Sequence, residues 1–333
     1  MIRFAVIGTN WITEEFIHAA RETGEFDLTA VYSRTEEKAA EFAQKFEVSH
    51  IYTSLETFAQ SKEFDAVYIA SPNSLHAEYA ILCMNHGKHV ICEKPAASNT
   101  AELSAMIQAA QTNKVVFMEA LKSTLLPNFK AIQDNLHKLG KIRRYFASYC
   151  QYSSRYDAYK QGTVLNAFNP IFSNGSIMDL GVYCIYPLAV LFGTPERVQA
   201  SGVLLESGVD GEGSLLLSYK DMDAVIMHSK ISSSYLPAEI QGEHATMVID
   251  KINTPEKVEI RYRDGSVENL TREQAVRTMR YEAEEFIRLI KSGTLESKTN
   301  SHANSSIAMA IMDEARKQMG LVFPADRKAG QSE

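Results

Sequence analysis

The chain has 333 residues, a mass of 37.2 kDa and 45% hydrophobic content, enough to bury a large core and to form two domains. A formal net charge of −7, a pI near 5.8 and the lack of any basic cluster exclude a nucleic-acid footprint and favour small neutral or cofactor-borne ligands. The opening residues 1–8 read as a strand rather than a signal peptide, and no apolar run approaches the roughly 20 residues that span a bilayer, so a cytoplasmic protein without a membrane partner is expected.

Residues 3–8 form an apolar strand that ends at Gly8, followed by Thr9-Asn10-Trp11-Ile12-Thr13 and an amphipathic helix to about Glu22 with Ile12, Phe16 and Ala20 on one face. Strand, glycine turn and helix open a dinucleotide fold, because the helix N-terminus offers free N–H groups to a pyrophosphate. The glycine fingerprint is incomplete: Asn10 stands at its second position and Thr13 at its third, Asn being the residue that best tolerates a left-handed backbone in place of glycine. A plain strand-to-helix turn is the alternative. The next strand, residues 28–32, runs into Ser33-Arg34, where an NAD enzyme would carry an acid for the ribose 2′-hydroxyl. A hydroxyl followed by a guanidinium suits a 2′-phosphate, so NADP is preferred and NAD is possible; otherwise Arg34 is a solvated residue opening a helix over 35–45.

Residues 64–70 are a further buried strand, ending in Ser71-Pro72-Asn73-Ser74-Leu75-His76 before a helix to Gly87, and His76 suits a hydrogen-bonding role at the helix start. The strand His89–Cys92 then stops at Glu93-Lys94-Pro95, since proline cannot extend it, and this leaves Lys94 at a strand's carboxyl end, where open α/β sheets bind ligands. A helix capped by Asn99 or Thr100 runs to about Gln111, and residues 115–119 give one more strand. The βαβ alternation through residue 120 implies a parallel sheet wound on both faces, a Rossmann domain over 1–122.

Beyond residue 122 short alternating segments near 143–152, 197–206, 213–219, 223–231, 236–241, 245–250 and 256–262 imply an α+β domain over 123–333 with a largely antiparallel open sheet. An apolar helix at about 175–192 interrupts it, helices at about 272–291 and 302–319 close it, and the polar tail from Lys328 is expected to fray. Cys83, Cys92, Cys150 and Cys184 are far apart and are expected to be reduced, and the scattered histidines suggest no metal site.

These stretches together resemble the Gfo/Idh/MocA family of NAD(P)-dependent oxidoreductases over nearly the whole length. The resemblance is carried by Ala5-Val6-Ile7-Gly8, by Tyr68-Ile69-Ala70-Ser71-Pro72-Asn73 with Leu75-His76, by Gly87-Lys88-His89-Val90-Ile91-Cys92-Glu93-Lys94-Pro95, and by residues 174–183. In that last stretch Asp179 is followed four residues later by Tyr183, where the family usually has histidine; tyrosine points to the branch of dihydrodiol dehydrogenases and glucose–fructose oxidoreductase. The resemblance implies Lys94 beside the nicotinamide, Asp179 orienting substrate hydroxyls, and Glu119, in Met118-Glu119-Ala120-Leu121-Lys122, near the cofactor.

Residues i and i+4 share a helix face, so Asp179 and Tyr183 project to one side, with Gly181 between them allowing close approach. A tyrosine with a solution pKa of about 10 becomes a base only beside a cation such as Lys94. The implied protein is an NADP-dependent dehydrogenase of a sugar or small vicinal diol, a homodimer or homotetramer closed over the open sheet; the competing reading is a cofactor-binding regulator without turnover. Ser153-Ser154-Arg155-Tyr156 and Phe168-Asn169-Pro170 are the expected specificity loops.

Overall fold

The computed structural model describes residues 1–329. Six strands, β1 (Ile2–Ile7), β2 (Phe26–Tyr32), β3 (His50–Tyr52), β4 (Ala66–Ile69), β5 (His89–Glu93) and β6 (Phe117–Ala120), form a parallel sheet in the order β3-β2-β1-β4-β5-β6. The connections are helical: α1 (Trp11–Arg21), α2 (Glu36–Phe46), α3 (Leu55–Gln60), α4 (His76–Asn85) and α5 (Thr100–Asn113). Central strands are apolar on both faces because both are covered, and Phe4, Ala5 and Val6 of β1 are fully buried. The strand order reverses between β1 and β4, which places the turns after these strands at the switch point where such sheets bind ligands. The expected Rossmann sheet is therefore present; β3 and α3 are additions, too short to show periodicity.

The second sheet has eight strands: β7 (Ile142–Cys150), β8 (Arg197–Leu204), β9 (Asp210–Ser218), β10 (Asp223–Ser229), β11 (Ala238–Gly242), β12 (Ala245–Ile249), β13 (Val258–Tyr262) and β14 (Val267–Asn269). Only β7 and β10 pair in parallel; every other neighbour is antiparallel. Helices α6 (Pro127–Asn135), α7 (Ser154–Lys160) and α8 (Val182–Phe192) precede most of this sheet in the chain. One face carries α8, with Tyr145 of β7 donating to the Cys184 carbonyl at 3.0 Å. On the other face Phe146, Val225 and Leu216 stand in register across three strands and remain partly exposed.

Three further helices follow: α9 (Arg280–Ser292), α10 (His302–Met319) and α11 (Pro324–Ala329). The expectation of one carboxy-terminal domain over 123–333 needs correction. The chain forms two compact units, Met1–Lys122 with Ala275–His302, and Ser123–Gln274 with the chain from Ala303 onward. Helix α9 returns to the first unit because its apolar face, with Phe286 buried 5.9 Å from the Phe4 ring, completes the cover over β1. The helix also starts later than the expected residue 272. Residues 272 and 274 are instead tied to other segments: Arg272 N donates to Asn128 Oδ1 at 2.6 Å and the Gln274 amide donates to the Pro255 carbonyl at 2.8 Å. The tail from Lys328 falls at the end of α11 and otherwise outside the described residues.

One more expectation is revised. The stretch Pro170–Phe192 is long and apolar enough to cross a membrane, contrary to the absence of any such run, yet 72% of its apolar window is buried inside the protein, as a core helix would be. The four cysteines are free.

Candidate active site

The first unit gathers one set of candidate residues along the carboxyl edge of its sheet. Gly8 has φ +105°, and a Cβ there would lie 2.6 Å from the Ala70 carbonyl oxygen, so the turn after β1 needs glycine. Asn10 is not a left-handed stand-in for glycine: its φ is −109° and ψ 173°, extended, and it caps α1. Its Oδ1 accepts from Ile12 N at 3.0 Å and Thr13 N at 3.2 Å, while Nδ2 donates to the Ala70 carbonyl at 2.8 Å. Thr13, at the third glycine position, is buried. The incomplete fingerprint is thus a different but well-made turn, with Thr9 and Ile12 half-buried and Trp11 64% exposed.

After β2, Ser33 is buried and its N–H donates to the Tyr52 carbonyl at 3.1 Å, while Arg34 is exposed just ahead of α2. Ser71, Pro72 and Asn73 follow β4 and are half-buried. His76 is buried and bridges two backbone carbonyls, Nδ1 at 3.0 Å from Pro95 O and Nε2 at 2.8 Å from Ser71 O. Burial pushes its pKa down to about 4, so at neutral pH the ring is uncharged and donates to one of the two. Glu119 is also buried, and its Oε1 accepts from Ala96 N at 2.9 Å. Both residues hydrogen-bond the backbone of the segment that follows Lys94, His76 at Pro95 and Glu119 at Ala96. The Lys94–Pro95 peptide is cis.

Beside Lys94, Glu93, which the sequence reading named as a cofactor-binding residue, belongs to a buried group whose other carboxylate, Glu282, that reading missed. Glu93 accepts a 2.6 Å hydrogen bond from the buried Tyr68 hydroxyl and, at 3.3 Å, the Lys94 N–H. Glu282 of α9 is buried, and among the described residues neither of its carboxyl oxygens has a hydrogen-bond partner. Burial and then the nearby Glu93 charge hold its pKa well above the usual carboxylate range, while Lys122 works the other way. Burial also raises Glu93, against the Tyr68 hydrogen bond and the Lys94 charge.

In the second unit, Ile177–Gly181 form a π-helical turn that leads into α8. The expected helix at 175–192 therefore opens on a wider turn, and Asp179 lies in it with Tyr183 just inside α8. From Gly175 to Ala189 every residue is buried except Asp179 and Tyr183. The two residues singled out by spacing are the two that this otherwise apolar segment leaves open. Gly175 has φ +146°, and a Cβ there would fall 2.1 Å from Asp210 Oδ1. Asp210 caps the turn, its carboxylate accepting from Ser176 N at 3.1 Å and Ile177 N at 2.7 Å, and burial raises its pKa to about 6.

Gly181 admits the buried ring of His228, whose Cδ2 would lie 3.2 Å from an added Cβ. The close approach anticipated at Gly181 is thus made by the protein's own core. His228 Nδ1 is 2.9 Å from Ser176 Oγ, and burial lowers the ring's pKa to about 3. Tyr149 of β7 meets the Tyr183 ring edge to face, centroids 5.6 Å apart. Asp179 is held by a residue that sequence reasoning passed over: Lys230 Nζ donates to its Oδ2 at 2.7 Å and to the Ala167 carbonyl at 3.1 Å. The signal was present in β10, where Ala224, Ile226 and His228 alternate inward and Lys230 continues the same register two residues on. Of the expected specificity loops, Ser153 caps α7 and Phe168 is fully buried, with Asn169 Oδ1 accepting from Ile171 N at 3.0 Å.

Fold and site together define a two-domain oxidoreductase of the dinucleotide-binding type. Residues 2–121 match the oxidoreductase family with an NAD-binding Rossmann fold, and residues 132–248 match the GFO/IDH/MocA C-terminal domain; the chain belongs to the Gfo/Idh/MocA family. It is 61% identical to scyllo-inositol 2-dehydrogenase (NADP(+)) IolU of Bacillus subtilis (strain 168) over 327 residues, 98% of this chain and 100% of that one. It is 31% identical to trans-1,2-dihydrobenzene-1,2-diol dehydrogenase of Danio rerio over 345 residues, 98% and 99% of the two chains. The structure of levoglucosan dehydrogenase in complex with NADH and levoglucosan shares the fold, with a TM-score of 0.83 at 19% identity over 96% and 98% of the chains.

Proposed function

We propose that the protein is an NADP-dependent dehydrogenase that oxidises a secondary hydroxyl of a cyclic polyol, with scyllo-inositol the first substrate to test. The observation that carries this reading is the pairing of near-full-length 61% identity to an NADP-dependent scyllo-inositol dehydrogenase with a segment that leaves only Asp179 and Tyr183 open. The turn after β1 suits a dinucleotide, since Gly8 keeps clear the space that a Cβ would fill against Ala70. Gly8, Thr9, Asn10, Trp11, Ile12, Ser71, Pro72 and Asn73 would hold its body, with Ser33 and Arg34 receiving a 2′-phosphate. When bound, the nicotinamide supplies the two-electron acceptor.

The chain's own residues handle the proton and the orientation. Asp179 accepts hydrogen bonds from substrate hydroxyls and fixes which carbon reacts. Tyr183, as its anion, takes the proton of the reacting hydroxyl while that carbon gives up a hydride and becomes a ketone. The Lys94 ammonium would serve the oxyanion that develops on the reacting oxygen, and in the reverse direction would polarise the carbonyl. The turn at Asn10 is capped, so its departure from the glycine fingerprint lends no support to the competing reading of a regulator without turnover.

We also propose a cytoplasmic homodimer or homotetramer, because the in-register row Phe146, Val225 and Leu216 leaves an apolar strip on the open face of the second sheet. Sedimentation as a monomer at micromolar concentration would remove that proposal. The activity is tested by following nicotinamide reduction with scyllo-inositol, aldoses and vicinal diols against both cofactors. NADP-dependent turnover of a polyol is expected; cofactor binding with no turnover on the whole panel would overturn it.

A further inference from the structure

Lys230 is a buried cation placed directly on a candidate substrate residue. Its side chain is 3% exposed, against 35% for that of Asp179, and it reaches Asp179 Oδ2 at 2.7 Å. Its other named contacts are the Ala167 carbonyl at 3.1 Å and the Phe168 ring, whose centroid is 5.1 Å away. A lysine loses much rotamer freedom and hydration when buried, so a site that keeps one there gains something specific from it. Here the ammonium is held by the Ala167 carbonyl and the Phe168 ring, and it reaches one oxygen of a carboxylate whose side chain is partly exposed.

We propose that Lys230 is a positioning residue for the reaction: it locks the Asp179 carboxylate in one orientation and keeps it an acceptor, so that substrate hydroxyls meet a preformed oxygen rather than a mobile one. This rests on the reading that Asp179 orients the substrate. Asp179 sits in a π-helical turn, whose backbone is held by Asp210 at its start and by the His228 ring against Gly181. Lys230 comes from the strand extension two residues beyond His228, so the same strand fixes both the turn and the side chain it carries.

The test is a double-mutant cycle in kcat/KM for scyllo-inositol, using Lys230→Met, Asp179→Asn and the combination, with NADP affinity and thermal unfolding measured alongside. Lys230→Met should lower kcat/KM by about 10²-fold, the scale of a small misplacement of a substrate-orienting group, with NADP affinity unchanged. In the Asp179→Asn background it should cost less than about threefold more, because no carboxylate remains to be positioned. Lys230→Gln, which keeps a donor for the Ala167 carbonyl but not the charge, should behave as Lys230→Met and serves if the methionine variant does not fold. Lys230→Arg should retain activity within about tenfold. Equal losses in both backgrounds would show that Lys230 acts on stability alone and overturn the inference. Wild-type kcat/KM in Asp179→Asn would instead overturn the reading beneath it.

Discussion

Substitution of Asn10 separates two accounts of the first turn by opposite signs. If Asn10 is a degenerate glycine, Asn10→Gly should restore the fingerprint and tighten NADP binding. If it is the cap seen here, the substitution removes three hydrogen bonds, two from Ile12 N and Thr13 N to Oδ1 and one from Nδ2 to the Ala70 carbonyl. Replacing an Asn cap by Ala typically costs about 1 kcal/mol, and by Gly only a few tenths of that scale. The half-buried bond to Ala70 adds about 1 kcal/mol. Asn10→Ala should therefore lose about 2 kcal/mol, and Asn10→Ser, which keeps the cap but not the reach to Ala70, about 1 kcal/mol. Asn10→Gly should fall a little beyond Asn10→Ser. For a unit of this size, about 2–4 °C per kcal/mol puts the Ala variant about 4–8 °C below wild type in scanning calorimetry. The chain's single tryptophan, Trp11, is the next residue, so its fluorescence gives NADP affinity in the same samples. An Asn10→Gly protein that melts with wild type and binds NADP more tightly would refute the cap.

Lys94→Met should lower kcat by about 10²–10⁴-fold with NADP affinity within a few-fold of wild type; a smaller drop would make Lys94 peripheral. Tyr183→Phe should lose activity to a similar extent, and the double variant should be little worse than either, whereas multiplicative losses would show independent action. Arg34→Ala should weaken NADP by about 10–100-fold, the worth of a charged hydrogen bond, and leave NAD nearly unchanged; equal losses for both would remove the 2′-phosphate role. Glu282 has a raised folded-state pKa, so its contribution to stability is present below the unfolded pKa and is lost as pH rises toward the folded one. The stability of Glu282→Gln relative to wild type should therefore grow by about 1.4 kcal/mol per pH unit through that window, read from denaturant melts between pH 5 and 8. A pH-independent difference would mean that Glu282 keeps its charge.

What was legible in the sequence follows the physics of each feature. Strands β1, β4 and β5 were visible because burial on both faces leaves unbroken apolar runs, and α5 because Asn99 caps it, its side chain accepting from Glu102 N at 3.0 Å. The three-residue β3 gave no period to find. Asp179 and Tyr183 were chosen from spacing and resemblance, and both are partly exposed in a segment that is otherwise buried. Lys230 was not, since its pair with Asp179 spans 51 residues and no local pattern encodes a tertiary ion pair. Asn10 was misjudged because a fingerprint position does not state its backbone angles: glycine is needed at Gly8, with φ +105°, and not at Asn10.

The return of residues 275–302 to the first unit has a bearing on how the molecule is made. During synthesis the amino-terminal sheet is finished at Ala120, yet the helix that covers Phe4 leaves the ribosome only after the whole second sheet has been translated. Nascent β1 therefore waits with an uncapped aromatic face, and domains that would ordinarily mature one after the other become mutually dependent. A fragment ending at residue 122 would expose that face permanently. Chimaeras that trade cofactor preference between relatives would have to exchange two separated stretches of gene, with α9 travelling alongside the sheet it closes.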